Sequence, residues 1–215
     1  MLSLAARCGI RTPETRVDQI GDENVLLVKR FDRVRVEGGY LRHRMVSALT
    51  VLDAEDRVTE RANWSYVLLA DELRRWSERG PADREELFRR VVFNALISNL
   101  DDHPRNHALI APGCDSHLAP AYDLTPQPVI SLERRDLALE CGPTGRMARR
   151  DNLLAGAARF RLESDRATAI IDEMKVTIAQ HWRAEVRRLG GTEGDCAVIE
   201  PAFVYAGFEY PTEPQ

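Results

Sequence analysis

The sequence predicts an α+β fold, with a small β-rich start followed by a helical body that one β-hairpin interrupts. Three observations carry this. Short apolar runs separated by Gly-, Asp- and Asn-containing turns fill the first 45 residues. After Glu60 the apolar residues recur at helical spacing. Between two helical stretches, residues 108–110 and 117–119 flank Pro112-Gly113, a hairpin signal.

In chain order, residues 2–8 read as the end of a helix closed by Gly9, and Thr12-Pro13 as a turn. Runs 17–20 and 25–31 form a hairpin across Gly21-Asp22-Glu23-Asn24. Gly38-Gly39 makes another turn, and residues 40–45 a third strand. Tyr66, Leu69, Leu73 and Trp76 place one face of a helix over 64–78, broken by Gly80-Pro81. Asp83 and Glu86 have capping-box spacing for a second helix ending near Ser98. Val91, Val92, Phe93, Ala95, Leu96 and Ile97 make its last turns apolar nearly all round, which predicts a central, buried helix. Helices over 151–160 and 165–189 follow, the latter ended by Gly190-Gly191. The tail from Pro201 carries Phe203, Tyr205, Phe208 and Tyr210.

A length of 215 residues suits one domain, or two small lobes around a cleft. With 44% apolar and 30% charged residues the composition is that of a folded globular chain. A net charge of −4 argues against a whole-surface nucleic-acid binder. No run approaches the ~18 apolar residues of a membrane span. The first segment is charged too soon for a signal peptide, so a cytoplasmic location is expected. Cys8, Cys114, Cys141 and Cys196 are then reduced thiols. The pairs Arg74-Arg75, Arg89-Arg90, Arg149-Arg150 and Arg187-Arg188 read as solvated helix faces. Only two lysines occur, Lys29 and Lys175, so any chemistry needing a lysine has two candidates.

The polar run Asn99-Leu100-Asp101-Asp102-His103-Pro104-Arg105-Asn106 directly follows the apolar helix. Loops on a rigid scaffold are where catalysis concentrates. Phosphoryl transfer needs a carboxylate to orient and deprotonate a hydroxyl, and oxygen ligands for a hard cation. Asp101 and Asn106 are five residues apart, and Asp123 follows the hairpin. His103 and Arg105 could meet phosphate oxygens. Two other readings stay open here. His103, His107, Cys114 and His117 have spacings compatible with a tetrahedral zinc site. The run also suits an ordinary cluster of turn and cap residues.

Three motifs occur in a fixed order: Val28-Lys29-Arg30-Phe31-Asp32-Arg33, the stretch from Asn99 to Asn106, and Pro120-Ala121-Tyr122-Asp123. In these the chain resembles the HipA-like serine/threonine kinases, toxin components of bacterial type II toxin–antitoxin modules. The resemblance runs to about Pro128, and the later helices fit that family's helical lobe. It implies a protein-kinase-like fold, with residues 1–45 a partial N-lobe and hinge. Residues 46–215 would be the helical C-lobe, with catalytic loop 99–106 and metal-binding segment 120–126. It implies Mg²⁺ and ATP as cofactors and transfer of the γ-phosphoryl group to a protein hydroxyl. Asp101 matches the catalytic base, and His103 a supporting catalytic position in the same motif. Asn106 and Asp123 match the metal ligands. Lys29, Arg30 and Phe31 match the hinge segment whose backbone meets adenine. The family implies an aminoacyl-tRNA synthetase as substrate and a DNA-binding antitoxin as partner.

The sequence also departs from that pattern. Members of the family carry a Gly-rich phosphate loop and a strand lysine, and neither is found here. Val25-Leu26-Leu27-Val28-Lys29 looks like the lysine strand, but the Arg30-Phe31-Asp32-Arg33 that follows matches the hinge. Lys175 falls on a late amphipathic helix. The expectation is an N-terminally truncated kinase impaired in isolation. The alternative is a non-catalytic or split-system remnant that binds an antitoxin or partner subunit.

Overall fold

The computed structural model describes residues 1–57, 59, 61–128 and 131–211. Glu60, where the period changes, and the last four positions of the tail lie outside them. The chain opens with helix α1 (Leu2–Arg7) and two separate antiparallel hairpins. Strand β1 (Thr15–Ile20) pairs with β2 (Glu23–Val28), Thr15 opposite Val28. Strand β3 (Arg33–Val36) pairs with β4 (Gly39–Arg42), Arg33 opposite Arg42. Strand β5 (Arg44–Ser47) joins a different sheet, in the order β5–β6–β7, with β6 (Ala108–Ala111) and β7 (His117–Leu118). Helices α2 (Ala48–Val51), α3 (Tyr66–Trp76), α4 (Gly80–Ile97), α5 (Arg150–Gly156), α6 (Ser164–Arg188) and α7 (Glu193–Ile199) make the body.

The α+β order holds, and α4 is central as its pattern predicts. Leu87, Phe88, Val91, Val92, Phe93, Ala95, Leu96 and Ile97 are all buried. Helix α3 packs on α4 with Tyr66, Leu69, Ala70 and Leu73. Its start is fixed by Ser65, whose hydroxyl accepts the Leu68 amide at 3.3 Å. Helix α6 presents Ala167, Ile170, Ile171, Met174, Ile178 and Trp182 at helical spacing to the same core. Trp182 stacks on Phe203 with centroids 4.5 Å apart, so the aromatic tail closes the core. Among the described residues no helix is long and apolar enough to cross a membrane. All four cysteines are free.

Four expectations change. The second strand stops at Val28, which leaves Lys29, Arg30 and Phe31 in a connecting segment. The strand expected over 40–45 is two strands, because the His43 amide bonds to Asp32 O (2.7 Å) and the chain then leaves for β6. The break before the second helix is there, since α3 ends at Trp76, but Gly80-Pro81 already belongs to α4, because a first-turn proline gives up no helical hydrogen bond. Asp83 therefore sits inside α4 and caps nothing there. Its carboxylate accepts from Ser77 Oγ, the Leu118 amide and Arg11.

Glu185 of α6 ties the N-terminus to the body, accepting from Ser3 (2.7 Å), Arg7 (2.7 Å) and Arg188 (2.9 Å). Burial alone would raise its pKa, but the three hydrogen bonds outweigh burial and hold the carboxyl down at about 2. A depressed folded pKa stabilises above the ordinary value of 4.5 and fades as pH falls toward 2. Wild type should therefore exceed Glu185→Gln in stability at neutral pH. Denaturant titrations should show that gap closing between pH 4.5 and 2, and a pH-independent gap contradicts this assignment.

Candidate active site

The loop after α4 is set by one buried carboxylate. Asp102 is 1% exposed, and its Oδ2 meets three groups from three elements. Tyr66 of α3 donates its hydroxyl, Asn94 of α4 donates Nδ2 at 2.6 Å, and His107 Nε2 lies at 2.7 Å. Asn99 Nδ2 extends the network to Asn94 Oδ1 at 3.1 Å. Burial, and then Asp102, raise the Tyr66 pKa well above its ordinary value, so the phenol stays a donor. Ser98 ends α4 with φ +54°, a left-handed cap that turns the chain into the loop.

With Asp102 held inside, Asp101 is exposed, and no described residue donates to its carboxylate. Its backbone oxygen accepts the His103 amide at 2.9 Å and Asn106 Nδ2 at 3.4 Å. A 3₁₀ turn at Pro104–Asn106 then delivers the chain to β6. Asn106 is 6% exposed, with its amide nitrogen turned back on the loop.

Tyr122 joins the remaining parts. Its hydroxyl donates to Arg105 O at 2.8 Å, and its ring stacks on Phe31 with centroids 5.8 Å apart. The segment Lys29-Arg30-Phe31, the loop and the residue before Asp123 therefore meet at one side chain. Burial pushes the Tyr122 pKa up to about 12, so this donor persists at any ordinary pH. Asp123 follows in a left-handed conformation, φ +57°, which Asp tolerates better than most residues. It is exposed and lines a cleft of about 740 Å³ together with Thr15, Val17, Leu26 and Val28 of the first hairpin.

Asp101, His103 and Asn106 share the loop, which Tyr122, the residue before Asp123, reaches through the Arg105 carbonyl, while the cleft that Asp123 lines has none of the three in its walls. His103 is half-buried, with Nδ1 closed off and unpartnered. Arg105 pairs with Asp56 at 2.8 Å on the surface. Lys29 pairs with Glu14 (2.8 Å), Arg30 with Asp32 (2.7 Å), and Lys175 with Glu209 (2.6 Å). The zinc reading is corrected. Among the described residues no three His, Cys, Asp or Glu side chains gather as a metal cluster. His107 is committed to Asp102, and Cys114 is exposed in the β6–β7 turn. The sequence reading missed Asp102 and Tyr66, whose roles depend on burial that no local pattern reveals.

The profile of the HipA-like C-terminal domain family matches residues 1–182. A Sinorhizobium fredii protein with the name "Putative kinase Y4dM" is 28% identical over 208 residues, covering 88% of this chain and 48% of its own length. A Haemophilus influenzae protein named "Putative kinase" is 29% identical over 134 residues, covering 57% and 39%. The chain spans less than half the length of these two relatives. Among solved structures, HipA of Shewanella oneidensis MR-1, in complex with HipB and its operator DNA, superposes with a TM-score of 0.73. The match is 19% identical and covers 94% of this chain and 51% of that one. The Helicobacter pylori proinflammatory kinase CtkA gives 0.51 at 14% identity, covering 94% and 79%. The architecture is thus that of these kinase folds.

Tyr66→Phe removes a donor from Asp102 without changing shape. It should destabilise by about 1–3 kcal/mol, since the carboxylate stays buried. Urea denaturation checks this, and an unchanged midpoint contradicts the network's role.

Proposed function

Since the chain belongs to the HipA-like C-terminal domain family, we propose that it carries the catalytic loop and metal segment of a serine/threonine protein kinase. The reaction is transfer of the γ-phosphoryl group of ATP to a protein hydroxyl. The observation that carries the reading is Tyr122, which ties the exposed Asp101 loop, the Asp123 segment and Phe31 together.

In this reading residues 1–45 form the partial N-lobe and hinge, and residues 46–215 the C-lobe. Asp101 orients the substrate hydroxyl and takes its proton, which its exposure and lack of a committed donor allow. His103 supports the loop from its half-buried position. The backbone of Lys29-Arg30-Phe31 meets the adenine. Asn106 and Asp123 offer oxygen donors suited to Mg²⁺, which takes one or two carboxylates plus substrate phosphates and not an all-protein cage. When bound, Mg²⁺ with ATP supplies the phosphoryl group and neutralises developing charge. A DNA-binding antitoxin is the proposed partner and an aminoacyl-tRNA synthetase the proposed substrate, both by family resemblance.

Both lysines are held in surface ion pairs, so neither reaches nucleotide phosphates in this arrangement. A second reading, a remnant that binds a partner subunit, is favoured by the first two hairpins. Ile20, Leu26, Val34, Tyr40 and Leu41 there are exposed, from 50% to 63%.

The isolated 215-residue polypeptide should show weak Mg²⁺-dependent phosphate transfer in a radiolabel assay. Asp101→Asn should lower that turnover by about 10²–10⁴-fold with an unchanged melting temperature. Robust transfer by the isolated chain contradicts the reading of the lysines. Retained turnover in the variant rejects Asp101 as the base.

A further inference from the structure

Strand β3 alternates strictly as Arg33-Val34-Arg35-Val36. It pairs with β4 through Arg33–Arg42, Val34–Leu41, Arg35–Tyr40 and Val36–Gly39. Directly opposite residues share a face of a sheet, as do residues two apart along a strand. One face of this hairpin therefore carries Arg33, Arg35, Tyr40 and Arg42, and the other carries Val34, Val36 and Leu41. Neither face is covered. Tyr40 is 62% exposed, and the three aliphatic side chains are between 47% and 54% exposed. Asp32 at the base holds Arg30 and Arg33. Arg35 and Arg42 are exposed and make no ion pair or hydrogen bond among the described residues, and Glu37 in the turn pairs with neither.

The hairpin is also incomplete as a sheet. It has two strands of four residues, and no third strand joins it among the described residues. A lone hairpin is marginal in water, and a further strand or a packed helix is what steadies one. No backbone hydrogen bond leaves the outer edge of either strand among the described residues. Such an edge is a template for another strand. The side chains on it select the occupant. A second copy of β3 would set arginine against arginine on one face, which is unfavourable, whereas carboxylates there would be attracted.

We propose that the outer edge of β3 takes an extended segment of a protein partner in which acidic and apolar residues alternate. Its backbone pairs with β3 as a third strand. Its carboxylates lie beside Arg33 and Arg35, and its apolar side chains beside Val34 and Val36. In strand addition the main-chain bonds supply affinity and the alternate side chains supply specificity. A nucleic acid would meet the arginine–tyrosine face but leave Val34, Val36 and Leu41 in water, so a protein segment suits both faces. The proposal rests on the partner-binding reading of the hairpins, not on the kinase reading, and gives that partner a chemistry.

The test adds a labelled peptide of alternating Glu and Val to the full chain at physiological ionic strength, following fluorescence anisotropy and backbone amide resonances. Saturable binding with shifts at residues 33–36 is expected. Arg35→Glu, an exposed change, should weaken binding about tenfold or more at an unchanged melting temperature. A Lys–Val peptide, a Glu–Ser peptide and a Glu–Val peptide methylated on its backbone nitrogens should each bind more weakly than the parent. Absence of saturable binding, affinity unchanged in Arg35→Glu, or affinity unchanged by backbone methylation overturns the proposal. A single-stranded oligonucleotide that binds more tightly than the Glu–Val peptide overturns it as well. Shifts confined to β1 and β2 would overturn this site while leaving the hairpins a partner-binding surface.

Discussion

A carboxylate that is 1% exposed must be paid for with donors, and Asp102 collects them from α3, α4 and the residue just before β6. Tyr66, Asn94 and His107 could not meet at one oxygen unless those elements were packed as they are. The same constraint sorts two adjacent and chemically identical residues. Asp102 becomes structural, and Asp101 is left outside, free of protein donors. Across the same loop Asn106 Nδ2 turns back on Asp101 O at 3.4 Å, which closes the turn between the two.

The base of the loop is held from a second side by an arginine. Arg135 is 2% exposed, donates to Ser98 Oγ and to Pro201 O (2.7 Å), and lies over Tyr205 at 4.3 Å. Val204 N bonds to Leu96 O at 2.7 Å, so the C-terminal segment is fastened to the last turn of α4. In this chain arginine therefore does architectural work as well as solvating the surface. Arg90, placed by its sequence pairing with Arg89 on a solvated face, is instead buried on the Glu86 carboxylate and Ala119 O, and Arg135 is buried on backbone carbonyls and a hydroxyl, which suits a group that is weakly hydrated for a cation.

The sequence made legible what periodicity and order encode. The apolar run of α4, the hairpin at β6–β7, the long α6 and the polar loop all fall where their patterns put them. The three ordered motifs were sufficient to identify the family. What stayed hidden depends on contacts distant in the chain. Nothing local separates Asp101 from Asp102, because Tyr66 and Asn94 lie 36 and 8 residues away from Asp102. Arg42-His43-Arg44 holds no turn residue, yet the chain changes sheets there because of a bond to Asp32 O. Helix α7 did carry a readable signal, since Thr192 and Asp195 form a capping box. Tyr122 was visible only as a motif member, and its role as the junction of three segments needed the fold.

The central claim is that buried Asp102 turns Asp101 outward, in the loop that Tyr122 joins to the Asp123 segment, and the proposal is that Asn106 and Asp123 hold Mg²⁺ there. A crystal structure of the chain with Mg²⁺ and a non-hydrolysable ATP analogue tests it most directly. The account predicts the metal on Asn106 Oδ1 and an Asp123 oxygen, and Asp101 facing the terminal phosphate. Asp102 should keep its bonds to Tyr66, Asn94 and His107. A nucleotide bound elsewhere, a metal held by other side chains, or Asp102 facing the phosphate in place of Asp101 would contradict it.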